Sequence, residues 1–316
     1  MKKNFIIALT FLLCVTIGSA YAATKQIPIT PLSISIALPL SGGDQLSDVL
    51  TNSSGTFLIG TIETSTSTLV TSPTLGGSSD GYISALSYTG QQLWNLRLGT
   101  ALDDVATAGC IDSLGNIWVA GATAIPASPV TPAPLAPNTV NPSQIQVAPV
   151  AWPTSGLKRL VVWEISSSGS LLNTYTSDST DVLLPSSITY KLKKIVVSGV
   201  TNSSTANAFE STVSTSGLSE IKLIKQKTFP TTAVTILKSS LYGWQSFATT
   251  KSIPGISGFK PKGLTSVLIK SSLKGGITEL FTYSGKLVSL KYQPGFGLVL
   301  ANNDQGTYNL LFLNTK

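Results

Sequence analysis

A repeated strand-turn-strand pattern constrains this chain more than any other feature. The stretch "SLGNIWVAGAT" (113–123) aligns without a gap to "KLKKIVVSGVT" (191–201), and more loosely to "NSSGTFLIGT" (52–61). Each copy places a turn before a short run rich in Val, Ile and aromatic residues, which is typical of β-strands. Such a unit cannot bury its apolar face alone, so copies must stack on one another. The sequence therefore predicts a repeat fold.

A second pattern extends the repeating unit to four strands. The segment "DGYISALSYTGQQLWNLRLG" (80–99) matches "RLVVWEISSSGSLLNTYT" (159–176), and "STVSTSGLSEIKLI" (211–224) keeps the turn glycine. Glycine suits a tight turn because it adopts positive φ without a Cβ clash. No long apolar pattern with a period of 3.6 residues occurs, so we predict an all-β chain. Five units are predicted, over 47–98, 104–176, 182–226, 232–283 and from 286 onward.

The fifth unit is one strand short, and the N-terminal region offers the missing strand. The stretch "SISIALPLSGGD" (33–44) can be laid over "QLWNLRLGTALD" (92–103), the last strand of a unit and the start of the next. A radial array of sheets needs its first and last blades locked together, because open edges expose unpaired backbone groups. We predict a β-propeller of five four-stranded blades, with six as the alternative count. Residues 33–40 are expected to close the ring beside "TYNLLFLN".

Residues 80–123 resemble the bacterial β-propeller repeat called SBBP, which is found in exported bacterial proteins. That repeat has a "D-x-F-V-x-K-L…G…L-W-x-x-x-L-G-G" half followed by "D-x-A…D-x-x-G-N-x-Y-V-x-G-x-T". The resemblance implies a propeller and export, and it brings no catalytic residues with it. The matching positions are Asp80, Leu86, Gly90, Leu93, Trp94, Leu98, Gly99, Asp104, Asp112, Gly115, Asn116, Val119, Gly121 and Thr123.

The first 22 residues have the pattern of a secretory signal peptide. Lys2 and Lys3 precede an apolar stretch (5–18), and Ala20-Tyr21-Ala22 forms a small-x-small cleavage site. We expect a single propeller domain over 23–316, located in the cell envelope or the medium.

Two features of the N-terminal region and the remaining chain bear on membrane attachment. Cys14 leaves a lipoprotein as an alternative, although the bulky residues before it, Phe11, Leu12 and Leu13, do not suit lipidation. After the signal is removed, no apolar segment has the roughly 18 residues that a spanning helix needs. A transmembrane segment is therefore not expected, and neither is a stable oligomer, so we expect a monomer.

Composition excludes several kinds of chemistry. The chain has no His, and Cys110 is the one cysteine after the signal. A Ser-His-Asp triad and a Cys-His pair would therefore lack their histidine, and a zinc site would lack its usual Cys and His ligands. Cys110 lies among apolar residues and is predicted to be a core thiol. No phosphate-binding loop or dinucleotide fingerprint is present, and no cofactor or metal is expected.

The "DSLGN" stretch is predicted to be a hairpin turn. Asp112 and Asn116 can bond to their own backbone, and Gly115 can take the left-handed position. A calcium loop involving Asp103, Asp104 and Asp112 is the alternative. It is disfavoured because "DSLGN" offers a single carboxylate where calcium needs several oxygen ligands.

Carboxylates near the openings of the units define an enzyme alternative. Glycoside hydrolases need two placed carboxylates, and five-bladed propellers are among the folds that carry them. Convergence of three acids in one pocket would favour this alternative, and dispersed acids would count against it. The candidate residues are Asp44, Asp48, Asp103, Asp104 and Asp181.

Charge is distributed unevenly along the chain. Residues 23–157 contain two basic and seven acidic residues, whereas 158–316 contain seventeen basic and seven acidic residues. This asymmetry predicts an anionic envelope polymer or surface as partner, with lysines that keep the protein soluble as the alternative. Nucleic acid is not expected, because there are few arginines and no ordered aromatic-basic platform. The predicted binding residues are Lys191, Lys193, Lys194, Lys222, Lys225 and Lys227.

A proline-rich segment (125–153) interrupts the second unit and holds eight of the seventeen prolines. It is predicted to be an extended loop that does not pair as strands. It is either a docking loop with Trp152 as anchor or a loop that is merely solvated.

Together, the repeat, the signal peptide and the lack of catalytic motifs favour an exported, non-enzymatic binding or scaffold propeller.

The signal-peptide hypothesis predicts a mature protein that starts near Ala23 and lies outside the cytoplasm. N-terminal sequencing of the native protein measures this directly. An intact Met1 on cytosolic material would contradict it.

Overall fold

The computed structural model describes most of the chain outside the N-terminal segment and the proline-rich loop. The predicted signal peptide, Trp152 and Lys227 lie outside the described residues. The described residues are 27–31, 36–38, 40, 43–63, 67, 69–126, 154–214, 217–225, 237–239, 243–253, 256–272, 276–293 and 297–313.

The described residues form 22 β-strands and no helix, which confirms the all-β prediction. Accordingly, no described segment is a helix long and apolar enough to cross a membrane. The strands are β1 (Ile29–Pro31), β2 (Ile36–Leu38), β3 (Gln45–Asn52), β4 (Gly55–Ile62), β5 (Asp80–Leu86), β6 (Gln92–Leu98), β7 (Asp104–Ile111), β8 (Ile117–Pro126), β9 (Thr154–Ile165), β10 (Leu171–Asp178), β11 (Leu183–Lys191), β12 (Lys194–Thr201), β13 (Ala208–Ser214), β14 (Gly217–Leu218), β15 (Lys222–Ile224), β16 (Leu237–Ser239), β17 (Trp244–Thr249), β18 (Thr265–Ser271), β19 (Ile277–Tyr283), β20 (Lys286–Gln293), β21 (Gly297–Asp304) and β22 (Thr307–Leu313).

These strands form five sheets, which are the five blades of a β-propeller. Blade one is β3 to β6, blade two is β7 to β10, and blade three is β11 to β15, with β14 and β15 both paired to β13. Blade four is β16 to β19, and blade five is β20 to β22, each with one added N-terminal strand. The first strand of each blade is innermost, since β3 contacts β7 and β20, β7 contacts β11, and β16 contacts β20. The predicted count of five is confirmed.

The N-terminal strands cover the outer edges of two blades. Ile36 of β2 lies opposite Leu310 of β22 in an antiparallel pair, which confirms that an N-terminal strand completes the last blade. The paired segment is 36–38, shorter than the predicted 33–40. The strand β1 pairs in parallel with β19, with Ile29 opposite Leu280, and so adds an unpredicted fifth strand to blade four.

In blades one to three the glycine of the repeat lies beside a β-bulge in the innermost strand. The innermost strands β3, β7, β11 and β20 each contain one extra residue where they pair with the second strand of their blade. The extra residue occurs at an equivalent point in all four pairs. A Cβ on Gly121 would lie 2.2 Å from the Val105 carbonyl oxygen and 2.5 Å from the Trp163 ring. A Cβ on Gly199 would lie 2.3 Å from the Leu184 carbonyl oxygen. Backbone and side chains therefore approach Gly121 and Gly199 too closely for a Cβ, whereas Asn302 takes the equivalent position in blade five.

The predicted hairpin turn at "DSLGN" is confirmed. The Asp112 carboxylate accepts hydrogen bonds from the backbone N–H groups of Leu114 (2.8 Å) and Asn116 (2.9 Å), and from Trp118 Nε1 (2.9 Å). Gly115 has a φ of 86°. Because three donors share this carboxylate, Asp112 acts as part of the turn and not as a free calcium ligand.

The boundary predicted for the proline-rich loop is wrong by two residues. Ile125 and Pro126 belong to β8, and Pro126 lies opposite Thr154 of β9. Proline is tolerated there because the strand ends at this residue and its missing N–H costs no ladder bond further along. The remainder of the predicted loop (127–153) is outside the described residues.

Ring closure should contribute measurably to stability. Leu38 is 5% exposed and packs with Leu46 and Leu310 between blades one and five, whereas Ile29 is 39% exposed. We expect Leu38→Ala to lower the free energy of unfolding by about 2–4 kcal/mol, because it removes buried aliphatic surface and leaves a cavity. Urea denaturation of the mature protein measures the change. Ile29→Ala is the matched control and should have a much smaller effect; equal effects of the two changes would refute the role of Leu38 in closure.

Candidate functional site

The five carboxylates proposed for an enzyme site do not converge in the structure. Asp48 lies within β3, Asp44 precedes that strand, and Asp103 and Asp104 lie at the start of β7. Asp181 lies between β10 and β11. In the described part of the chain, no three Asp, Glu, His or Cys side chains are grouped so that they could hold a metal ion.

Asp48 holds three innermost strands together. Its carboxylate accepts hydrogen bonds from the backbone N–H of Gly109 in blade two (2.9 Å) and from Ser289 Oγ in blade five (2.6 Å). It also accepts the N–H of Val49 (2.9 Å), and Lys291 Nζ lies 3.0 Å away. Asp48 is 6% exposed. All these donors belong to the fold, so this carboxylate stabilises the centre of the propeller.

The carboxylates between blades one and two also serve the fold. Asp80 forms an ion pair of 2.9 Å with Arg97, and both side chains are almost fully buried. Asp104 is completely buried and accepts the N–H of Thr100 at 2.6 Å. Burial raises the pKa of Asp104, and hydrogen bonds from Thr123 and Thr100 oppose that shift. Asp103 accepts the N–H of Ser78 at 2.6 Å. These contacts hold the loops that join the two blades.

Cavities lie between blades and at the centre of the ring. A cavity of about 700 Å³ between blades four and five is lined by Phe247, Leu264, Tyr283 and Leu287, among others. No described carboxylate lines it. A smaller central cavity of about 160 Å³ is lined by residues that include Cys110 and Lys291.

Cys110 is half-buried and packs beside the core between blades two and three. Burial raises the pKa of this thiol to about 12, although Lys291 acts in the opposite direction. The thiol is therefore protonated at neutral pH, which is the state of a structural cysteine and not of a nucleophile.

Three of the six predicted lysines lie together on one exposed hairpin. Lys191 and Lys194 are opposite each other at the ends of β11 and β12, and Leu192 and Lys193 form the two-residue turn between them. Both turn residues are left-handed, with φ of 51° for Leu192 and 62° for Lys193. This is the pattern of a type I′ turn, which normally contains Asn-Gly. All four residues are exposed, and Leu192 is 85% exposed.

The other described lysines of the predicted group lie at the opposite end of blade three. Lys222 pairs with Glu210, whereas the Lys194 end of β12 lies beside Val213 and Ser214. Four residues of strand separate these positions, or roughly 13 Å. Lys225 follows β15 and is still farther away. The described lysines of the predicted group therefore form two separate clusters, because alternation along a strand specifies the face on which a side chain lies but not its distance from the end of the blade.

A second exposed leucine lies beside the basic hairpin. In blades one, two, three and five the C-terminal parts of the innermost strands line the same central cavity, so the turns after β7 and β11 emerge at the same end of the propeller. Leu114 at the tip of the blade-two turn is 85% exposed. The hydroxyls of Ser113 and Tyr190 are 2.9 Å apart and join the two turns. We call Leu114 and the residues from Lys191 to Lys194 the hairpin-tip site.

Comparisons with known proteins find similarity to solved structures at low sequence identity. No protein-family model and no curated protein matches the chain. A protein of unknown function from Bacteroides caccae is 12% identical, with 85% of this chain and 74% of that chain covered and a TM-score of 0.36. A protein of unknown function from Dyadobacter fermentans is 13% identical, with 86% of this chain and 77% of that chain covered and a TM-score of 0.38.

The Pan2 WD40 domain of Neurospora crassa is similarly distant. It is 12% identical over 86% of this chain and 76% of that chain, with a TM-score of 0.31. At such TM-scores these similarities add nothing to the architecture seen in the five sheets.

The left-handed conformations of Leu192 and Lys193 are expected to lower the free energy of unfolding of the protein. A left-handed conformation costs roughly 1 kcal/mol or more for a residue with a Cβ and little for glycine. The double change Leu192→Asn, Lys193→Gly should therefore raise the free energy of unfolding by about 1 kcal/mol or more. Chemical denaturation measures the difference.

The turn after β21 supplies the matched control for this measurement. There Gln305 has a φ of 52°, but the next residue is already Gly306. Gln305→Asn should therefore give a smaller gain than the double change. A double variant no more stable than the natural chain would show that the turn is unstrained.

Proposed function

We propose that the chain is an exported, non-enzymatic binding or scaffold propeller of the cell envelope that binds an anionic partner through the hairpin-tip site. The observation that carries the proposal is the exposed group formed by Lys191, Lys193 and Lys194 on a single turn. Such a group attracts anionic surfaces and raises the rate of association with them.

The charge of these lysines is available to a partner. The ion pairs in the described residues join Arg97 to Asp80, Arg159 to Asp178, Lys270 to Glu279 and Lys291 to Asp48. None of these pairs involves Lys191, Lys193 or Lys194. The nearest acidic residue in the adjoining turn, Asp112, already accepts three hydrogen bonds within its own hairpin. The tip therefore retains an uncompensated positive charge.

The alternatives remain part of the proposal's test. Nothing in the described residues favours the glycoside hydrolase alternative, because the candidate acids contact different parts of the fold. Exposed lysines that merely keep the protein soluble would show no dependence on position. Export rests on the N-terminal segment and the SBBP-like repeat, and a monomer without nucleic acid as partner remains our expectation.

Binding to a soluble polyanion tests the proposed function. We expect the natural chain to bind dextran sulfate at low salt and to lose affinity as salt rises past about 0.15 M, where screening extends over about 8 Å. The triple change K191Q, K193Q, K194Q should remove most of this binding without altering the melting temperature.

Three lysines away from the hairpin tip give a control with the same loss of charge. Lys222, Lys225 and Lys251 are all exposed, and the triple change K222Q, K225Q, K251Q should retain most of the binding. Equal losses in the two triple variants, or no binding by the natural chain, would leave the lysines as a solubility feature.

A further inference from the structure

The hairpin-tip site combines positive charge with apolar side chains that are exposed to solvent. Leu192 and Leu114 are each 85% exposed, more than any other large apolar side chain in the described residues. Lys191, Lys193 and Lys194 surround Leu192 on its own turn. A soluble polyanion can contact these lysines but gives a leucine nothing to bury against. An anionic bilayer offers both phosphate groups and hydrocarbon.

We propose that the hairpin-tip site docks on the surface of an anionic lipid bilayer, with Leu192 and Leu114 inserted between the headgroups and the lysines bound to lipid phosphates. The inference rests on the proposed function and names the class of its anionic partner.

The shape of the hairpin fits this docking mode. Leu192 lies at the tip, and Lys191 and Lys194 lie one residue behind it, a step of roughly 3.3 Å along a strand. Lysine side chains extend their ammonium groups along an interface while their methylene stems pack on apolar surface. With the leucine at the boundary between headgroups and acyl chains, the ammonium groups reach the level of the phosphates.

The second turn makes the contact a two-point one. The Ser113–Tyr190 hydroxyl contact of 2.9 Å fixes the blade-two turn beside the blade-three hairpin. Two leucines that enter one bilayer contribute together, because insertion of the first positions the second. The tip of blade two carries no lysine, so its contribution should be apolar alone.

The strained turn is consistent with a surface role. Leu192 and Lys193 keep left-handed conformations that Asn-Gly would adopt more readily. Strain of this kind is found where a side chain is needed for binding rather than for the fold. Asn at position 192 removes the apolar side chain while it suits the turn, so a variant with this change should fold.

Sedimentation with vesicles tests the proposal. The mature full chain is mixed at low salt with vesicles of phosphatidylcholine alone, with vesicles containing about 30% phosphatidylglycerol, and in parallel with dextran sulfate. We expect binding to the phosphatidylglycerol vesicles and none to phosphatidylcholine alone. The double change L114N, L192N should weaken vesicle binding roughly tenfold or more, in proportion to the apolar surface it removes, while dextran sulfate binding stays unchanged.

Leu264 provides a matched control. It is 76% exposed and lies just before β18, at the opposite end of the propeller from the hairpin tips. L264N should bind both probes as the natural chain does. The triple lysine change in the hairpin should reduce binding to vesicles and to dextran sulfate alike.

The outcomes separate this inference from the proposed function. If L114N, L192N binds vesicles as strongly as the natural chain, or if the natural chain binds dextran sulfate but not vesicles, the bilayer inference is overturned and anionic binding stands. If neither probe is bound, both proposals are overturned. Melting curves of each variant show whether a loss of binding reflects a loss of fold.

Discussion

The buried carboxylate of Asp48 is the contact on which the ring depends most. It joins blade one to Gly109 in blade two and to Ser289 and Lys291 in blade five, so the first and last blades meet through one side chain. A buried charge without partners would be strongly unfavourable, and here four donors compensate it. The outer strand β2 closes blade five at its edge, while Asp48 closes the ring at its centre. Closure is therefore made twice, at opposite sides of the blade.

Much of the fold was predictable because the first three blades repeat the same bulge and glycine. Gly121 and Gly199 mark the point where a bulged innermost strand lies close to the second strand, so the repeated glycine identifies that strand pair in the sequence. The strand β2 was predictable from its match to other outer strands. The parallel strand β1 was not, because three residues carry no periodicity. Nor was the division of the outer strand of blade three, where Ser219 bonds to Ser211 and Thr212 and interrupts the ladder.

The candidate site was predictable only in part. The lysines around Leu192 are neighbours in sequence, so a turn signal was enough to group them. Lys222 and Lys225 could not be placed, because only the pairing register shows that they lie at the far end of the same blade. The two exposed leucines were missed for a different reason. An apolar residue inside a turn gives no signal of its own, and its exposure becomes visible only once neighbouring turns are seen side by side.

The acidic residues of the first half of the chain and the lysines of the second half differ in their exposure to solvent. The acids of the first half are largely internal: Asp48, Asp80 and Asp104 are buried and bonded to backbone or to cations that belong to the fold. The charges of Asp48 and Asp80 are compensated where they lie, by Lys291 and Arg97 respectively. Most of the described lysines of the second half are exposed, so their charges are accessible to a partner. Binding then depends on where the exposed lysines lie together in the propeller, and not on which half of the chain is basic. The turn between β11 and β12 presents three such lysines, none of which forms an ion pair within the described residues.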